Sequence, residues 1–103
     1  MNKPCRIRYN AAAVRDMMEI ADYIRLDSPQ AAERTKVELD KAIGALADFP
    51  FMHPVPKDKR LAQKGYRMLV VGNYLVFYQV FEAKNEVRIR RVIHGKRLYG
   101  FLL

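Results

Sequence analysis

Two runs of aromatic and β-branched residues, Tyr66–Val71 and Tyr74–Phe81, are separated by only two residues, Gly72-Asn73. Such runs are typical of strands, and a two-residue connection of this composition predicts a tight antiparallel hairpin. A turn over residues 82–85 then leads into a third predicted strand, Glu86–His94. The C-terminal third is therefore expected to form an antiparallel sheet, whose apolar face has to be covered by the rest of the chain.

The two-residue loop also predicts the register of the hairpin. It pairs Val71 with Tyr74 and Arg67 with Tyr78. The pleat then puts one set of residues on a common face: Arg67, Leu69, Tyr74, Val76 and Tyr78. Which face is solvated stays open, because a one-residue slip reverses it.

The N-terminal half predicts a short strand at Cys5–Tyr9 and then two helices. Asn10 is the expected N-cap of the first helix. Its apolar stripe is predicted to be Val14, Met17, Met18, Ala21 and Ile24, and its solvated face Arg15, Asp16, Glu19, Asp22 and Arg25. Ser28 is the expected cap of the second helix, with Pro29 at the first helical position. This helix is predicted to run to about Phe49, with a stripe of Ala32, Thr35, Leu39, Ala42, Ile43, Leu46 and Phe49.

A proline-rich and basic connection follows the second helix. Pro50, Pro54 and Pro56 predict an irregular segment between residues 50 and 65. The predicted order is β-α-α-β-β-β, an α+β fold in which an antiparallel helical hairpin packs on a mainly antiparallel sheet. With 103 residues, the chain has room for one hydrophobic core, so a single domain over residues 1–103 is expected.

The charge balance narrows the function classes. Lysine and arginine number 19 against 11 aspartates and glutamates, a formal net charge of +8, which favours a polyanionic partner such as RNA, DNA or an acidic protein. The lone Cys5 excludes an internal disulfide and a cysteine metal cluster, so no metal or other cofactor is expected. Neither a signal peptide nor a membrane helix is evident, which predicts a cytoplasmic protein.

The segment from Tyr66 to Val80, followed by Val87, Ile89, Val92 and residues 94–97 (His-Gly-Lys-Arg), resembles the core of the RelE/ParE toxins. The helix at residues 16–24, the junction at residues 28–31 and the helix end between Leu46 and Pro50 occur at the spacing of that family, so the resemblance spans nearly the whole chain. It implies a growth inhibitor of a type II toxin–antitoxin system, neutralised by a cognate antitoxin.

The same resemblance leaves two mechanisms. RelE-like toxins cut mRNA in the ribosomal A site, whereas ParE-like toxins inhibit DNA gyrase without being nucleases. Metal-free RNA cleavage needs a base, an acid and cations that stabilise the phosphorane. For a RelE-like enzyme the catalytic candidates are His94, Arg97, Arg67 and Tyr99. Arg97 matches the arginine that ends the last strand of those enzymes, and Arg67 falls near a basic residue on their second strand. For binding of antitoxin or target the candidates are Arg67, Arg91, Lys96 and Arg97.

Leu75 favours the ParE-like branch. RelE-like nucleases typically carry an arginine at this position as a main phosphate contact, and the loss of one such contact costs about 3 kcal/mol of transition-state stabilisation. Tyr99 also follows Arg97 more closely than the functional tyrosine of those enzymes follows its arginine. Gyrase inhibition is therefore the preferred hypothesis. A ribosome-dependent mRNA endonuclease is the alternative, and a small basic RNA- or ribosome-binding protein is the third.

The expected partner is an acidic antitoxin. The net positive charge would speed its association, and an edge strand or a groove of this fold would accept a segment that folds on binding. We expect the C-terminal segment of the antitoxin to cover the arginines Arg67, Arg91 and Arg97.

Overall fold

The computed structural model describes residues 3–96 and residue 103. Its strands are β1 (Arg6–Tyr9), β2 (Tyr66–Val71), β3 (Tyr74–Phe81) and β4 (Glu86–His94). Its helices are α1 (Ala11–Arg25), α2 (Pro29–Gly44) and the short α3 (Lys59–Gln63), with 3-10 turns at Ala45–Ala47 and Glu82–Lys84. The predicted bounds of β2, β3 and β4 are confirmed.

The four strands form one mixed sheet in the order β1-β4-β3-β2, with β1 parallel to β4 and the other neighbours antiparallel. The α+β prediction is therefore confirmed. The predicted register is confirmed as well, since Val71 pairs with Tyr74 and Arg67 with Tyr78. Gly72 supplies the positive φ of 57° that this tight turn requires.

The buried face of helix α1 differs from the predicted apolar stripe. Ala13 and Asp16 are its buried residues, whereas Val14 and Met18 are exposed. The prediction that Asp16 is solvated was wrong, and its partners explain why: it lies against the edge of β4, as described below. Asn10 occupies the N-cap position, but its side chain makes no capping hydrogen bond to the helix.

Helix α2 follows the prediction more closely. The Ser28 hydroxyl oxygen accepts a hydrogen bond from the Ala31 amide at 3.1 Å, and Pro29 is the first helical residue. The regular helix ends at Gly44 and tightens into the 3-10 turn, rather than running to Phe49, which is exposed. The buried stripe of the helix and turn consists of Ala32, Leu39, Ile43 and Leu46.

The connection to β2 contains a helix that the prolines led us to exclude. Helix α3 begins after the last proline, where the Asp58 carboxylate accepts a hydrogen bond from the Arg60 amide at 2.8 Å. Leu61 anchors it by packing with Tyr66, Phe77 and Ile93. This apolar cluster, with Met68, Leu75 and Leu103 at its border, lies on the sheet face opposite the α1–α2 hairpin, because its strand residues alternate with those of the main core. We call the two faces the hairpin side and the α3 side.

Candidate functional site

Arg91, one of the predicted binding residues, forms a partly buried ion pair with Asp16. The guanidinium donates from Nε to Oδ2 at 2.6 Å and from Nη2 to Oδ1 at 2.9 Å. Asp16 Oδ2 also accepts the backbone amide of Val92 at 3.0 Å. Because β1 stops pairing at Ile89, this carboxylate takes the place of a neighbouring strand at the open edge of β4. The hydrogen bond from Asp16 raises the pKa of Arg91, and the pair fastens α1 to the sheet.

Arg67 holds the irregular connection against β2. Its Nη1 donates to the carbonyl oxygens of His53 at 2.7 Å and Phe51 at 3.4 Å, and its guanidinium lies 5.0 Å from the centre of the Phe51 ring. The neighbouring Tyr78 hydroxyl donates to the carbonyl of Pro50 at 2.9 Å. Burial raises the pKa of this hydroxyl, against the opposing effect of the Arg67 charge. In this arrangement Arg67 satisfies backbone carbonyls, which is a structural function.

His94 lies half-buried at the end of β4. Its ring contacts Tyr74 edge-to-face, with centroids 5.5 Å apart, and its Nδ1 accepts the backbone amide of Lys96 at 3.2 Å. The side chain borders an open groove of about 440 Å³ between α1 and the sheet, which is also lined by Asp16, Glu19 and Tyr23. Lys96 follows in the exposed turn after β4.

The structure does not bring His94 and Arg67 together. His94 pairs with Tyr74, the first residue of β3, and Arg67 pairs with Tyr78, four residues further along that strand. Four residues of strand separate these levels by about 13 Å. Arg97 and Tyr99 lie outside the described residues. The roles proposed for His94, Arg97, Arg67 and Tyr99, and for Arg91 and Lys96 in binding, stay predictions.

Leu75 lies on the α3 side of the sheet. It pairs with Ile93 and borders the apolar cluster that contains Phe77 and Tyr66. His94 pairs with the adjacent Tyr74 and therefore points to the opposite, hairpin side. The position at which a RelE-like enzyme carries its phosphate-binding arginine is thus apolar here, and the sheet separates it from the histidine.

An open apolar groove of about 530 Å³ runs between α1 and α2. Met18 and Val14 expose much of their surface in it, and Leu39 lies at its base. Tyr9 closes one side, where burial raises the pKa of its hydroxyl and the negative charge of Asp40 adds to the effect. The sequence predicted Val14 and Met18 to lie on the apolar stripe of α1; the structure places them on the surface of this groove.

A cluster of arginines surrounds one buried carboxylate at the β1–β4 junction. Glu86 Oε2 accepts from Arg88 Nε at 2.7 Å, while Arg6 and Arg8 approach Oε1 at 3.5 and 3.6 Å. Burial raises the pKa of Glu86, but the hydrogen bond from Arg88 and the three positive charges outweigh it, so the pKa lies below its usual 4.5. Neither Glu86 nor Arg88 was among the residues predicted to be functional. The signal that was missed is the glutamate at the start of a strand otherwise rich in arginine.

This arrangement makes a prediction about acid stability. A carboxyl whose folded pKa is depressed contributes stability above its unfolded pKa, and that contribution is lost as the pH falls through the folded value. Glu86→Gln should therefore destabilise the protein at pH 7, and the difference from wild type should shrink below about pH 4.5. Urea midpoints at pH 7, 5 and 3 measure this. A stability difference between variant and wild type that stays constant across this range would contradict the ionised state of Glu86. The matched control is Glu82→Gln, on the preceding exposed turn.

Comparison with known proteins identifies the family. The family model described as ParE toxin of type II toxin-antitoxin system, parDE, matches residues 7–99. The chain belongs to the ParE toxin family. It is 33% identical over 100 residues to the putative toxin Y4kP of Sinorhizobium fredii, covering 95% of this chain and 96% of that protein. It is 37% identical over 87 residues to the toxin RelE2 of Caulobacter vibrioides, covering 84% and 90%.

Chains in solved structures of two toxin–antitoxin systems have the same fold as this ParE-family toxin. The toxin–antitoxin complex RelBE2 of Mycobacterium tuberculosis contains a chain with a TM-score of 0.66 at 23% identity, covering 91% of this chain and 94% of that one. A chain of the chromosomal ParDE system of P. aeruginosa gives a TM-score of 0.71 at 17% identity, covering 87% and 95%. The predictions of a RelE/ParE toxin and of its fold are confirmed. The toxin is the toxic component of a type II system, and a cognate antitoxin is its partner. Among the described helices, none is long and apolar enough to cross a membrane.

Proposed function

We propose that this toxin arrests growth by binding DNA gyrase and not by cutting mRNA. The observation that carries the proposal is the separation of the nuclease positions: Leu75 lies in an apolar cluster on the α3 side, and His94 faces the hairpin side. A phosphorane forming beside His94 would receive no stabilisation from the Leu75 position, even if an arginine stood there. Inhibition by binding needs a complementary surface and no such constellation.

The electrostatics around His94 support the same conclusion. The described residues that line its groove include two carboxylates, Asp16 and Glu19, and no lysine or arginine. Arg91 pairs with Asp16, and Glu19 adds a second carboxylate to the lining of the groove. An oxyanion transition state requires positive groups aimed at its developing charge. The described lining of this groove has the opposite character.

Two assays run side by side test the proposal. We expect the purified toxin to inhibit supercoiling by gyrase and to leave mRNA on translating ribosomes uncut in primer extension. His94→Ala should retain toxicity, because inhibition by binding needs no catalytic histidine. Codon-dependent cuts in the ribosomal A site that disappear in His94→Ala would overturn the proposal and establish the nuclease alternative.

Because Arg67 and Arg91 are engaged by internal acceptors, we further propose that the antitoxin neutralises the toxin by occupying the α1–α2 groove, in place of the cover over Arg67, Arg91 and Arg97 expected from the sequence. Exposed apolar side chains line it, with Met18 and Val14 on α1 and the buried Leu39 on α2. An amphipathic segment that docks in such a groove buries this surface. The rim carries charges of both signs, including Asp22 and Lys36, which can pair with polar groups along the same segment.

A further inference from the structure

The β1–β4 half of the α3 side carries four arginines on two adjacent strands. In the parallel register Arg6 lies beside Glu86, and Arg8 lies beside Arg88. Val87 and Ile89 of β4 are buried in the core below the hairpin, so the residues that alternate with them project to the α3 side. Arg90 follows at the β-bulge, where its guanidinium lies 3.1 Å from the Asn10 side chain, with that amide turned to accept from it. We call Arg6, Arg8, Arg88 and Arg90 the arginine face.

Like charges directly opposite one another destabilise a sheet, and Arg8 and Arg88 are such a pair. Glu86 offsets part of the repulsion, since its carboxylate lies within 3.6 Å of three guanidinium groups. Four guanidinium groups against one carboxylate still leave a net positive face. Arg88 is additionally held over the Phe81 ring at 4.4 Å. The arginines are thus preorganised, and the outer two, Arg6 and Arg8, expose 71% and 65% of their side chains.

We propose that the arginine face binds the phosphate backbone of duplex DNA. Guanidinium groups recognise phosphate by bidentate hydrogen bonds. The backbone positions that carry them here lie about 7 Å apart along β1 and about 5 Å apart across strands. The choice of DNA rests on the proposed function, because gyrase acts on duplex DNA. The toxin then touches the DNA as well as the enzyme that it inhibits.

The composition of the face selects this ligand over the other polyanions. A protein partner requires an apolar centre in the interface, whereas the aromatic ring at this face, Phe81, is covered by Arg88. Single-stranded nucleic acid is bound by aromatic side chains on which bases stack. Among the described residues of the face, arginine contributes the exposed surface. A phosphate backbone can be bound by positively charged side chains alone.

Binding of the full-length toxin to a 20-base-pair duplex, followed by fluorescence anisotropy between 50 and 200 mM salt, tests the proposal. Each phosphate contact contributes about −0.9 to the slope of log K against log salt, so Arg6→Gln/Arg8→Gln should make the slope shallower by about 1.8. We expect an affinity loss of about tenfold near 100 mM salt. The control Arg34→Gln/Lys41→Gln removes the same charge from the exposed surface of α2, and its affinity should stay within about twofold of wild type.

Equal losses in both double variants would overturn the proposal, because they would reflect net charge alone. Tighter binding of a single-stranded 20-mer than of the duplex would also overturn it. So would a loss of antitoxin affinity in Arg6→Gln/Arg8→Gln with DNA affinity unchanged, since the face would then belong to the antitoxin. The assay contains no gyrase, and therefore reads DNA binding even if the supercoiling assay rejects gyrase as the target.

Discussion

Asp16→Ala should lower the free energy of unfolding by about 3 kcal/mol, the lower end of the cost of removing one partner of a buried ion pair, because this pair is only partly buried. The variant removes the Asp16 carboxylate from Arg91, whose side chain is only 19% exposed. It also leaves the Val92 amide without its acceptor at the edge of β4. For a domain of this size the Tm should fall by at least about 12 °C, measured by thermal unfolding at pH 7.

Asp22→Ala is the matched control for this prediction. Asp22 pairs with Arg25 at 2.6 Å, the same separation as the closest contact between Asp16 and Arg91. In the Asp22–Arg25 pair, however, both side chains are exposed. Exposed pairs contribute about 0–1 kcal/mol, so the Tm should move by only a few degrees. Similar losses in the two variants would mean that burial does not decide the strength of these pairs. Asp16→Asn, which keeps an acceptor for Val92, should be intermediate.

Met18→Glu should weaken antitoxin binding at least about thirtyfold. The proposed antitoxin segment would have to bury an ionised carboxylate in the apolar α1–α2 groove, at a cost typical of a disrupted interface centre, about 2 kcal/mol or more. Because 62% of Met18 is exposed in the free toxin, the substitution should leave its own stability nearly unchanged. Titration calorimetry with the antitoxin measures the affinity, and co-expression should no longer restore growth fully.

Val37→Glu is the control for the groove. Val37 is an apolar residue of α2 with 55% exposure, and it lies outside the residues that line the α1–α2 groove. Its substitution adds the same charge to the same hairpin, and the antitoxin affinity should stay within about twofold. If Met18→Glu binds the antitoxin as well as Val37→Glu does, the groove is not the neutralising site.

The two proposals concern different surfaces of the toxin. The groove lies on the outside of the helical hairpin, and the arginine face lies on the α3 side of the sheet. An antitoxin in the groove would therefore neutralise the toxin without having to cover the arginines themselves. Variants of one surface should leave the binding assay of the other unchanged, so each experiment also serves as a folding control for the other.

Local patterns were enough to predict the sheet. The strands β2, β3 and β4 and the turn at Gly72-Asn73 are encoded by neighbouring residues, and the two-residue loop alone determines that Arg67 pairs with Tyr78. Helix α3 was missed because three prolines dominate the pattern before it, while Asp58 and Leu61 begin and anchor it after the last of them.

Helical periodicity, in contrast, did not orient α1. Its apolar stripe is real, but part of it lines the open groove, and Asp16, which sits among charged neighbours in the sequence, is buried. The reason lies in another element: β1 is too short to pair with all of β4, so a carboxylate from α1 satisfies the free edge amide and the charge of Arg91. No pattern within α1 records the length of β1.

The candidate site divides in the same way. The leucine at position 75 could be recognised from the chain alone as a departure from the nuclease pattern, because residue identity is all that the comparison needs. Only the tertiary structure decided that Leu75 and His94 lie on opposite faces, that Arg67 and Arg91 are engaged by internal acceptors, and that four other arginines share one face. Strand order decides which distant residues become neighbours, and burial depends on the elements packed around them. Neither is a property of any one segment.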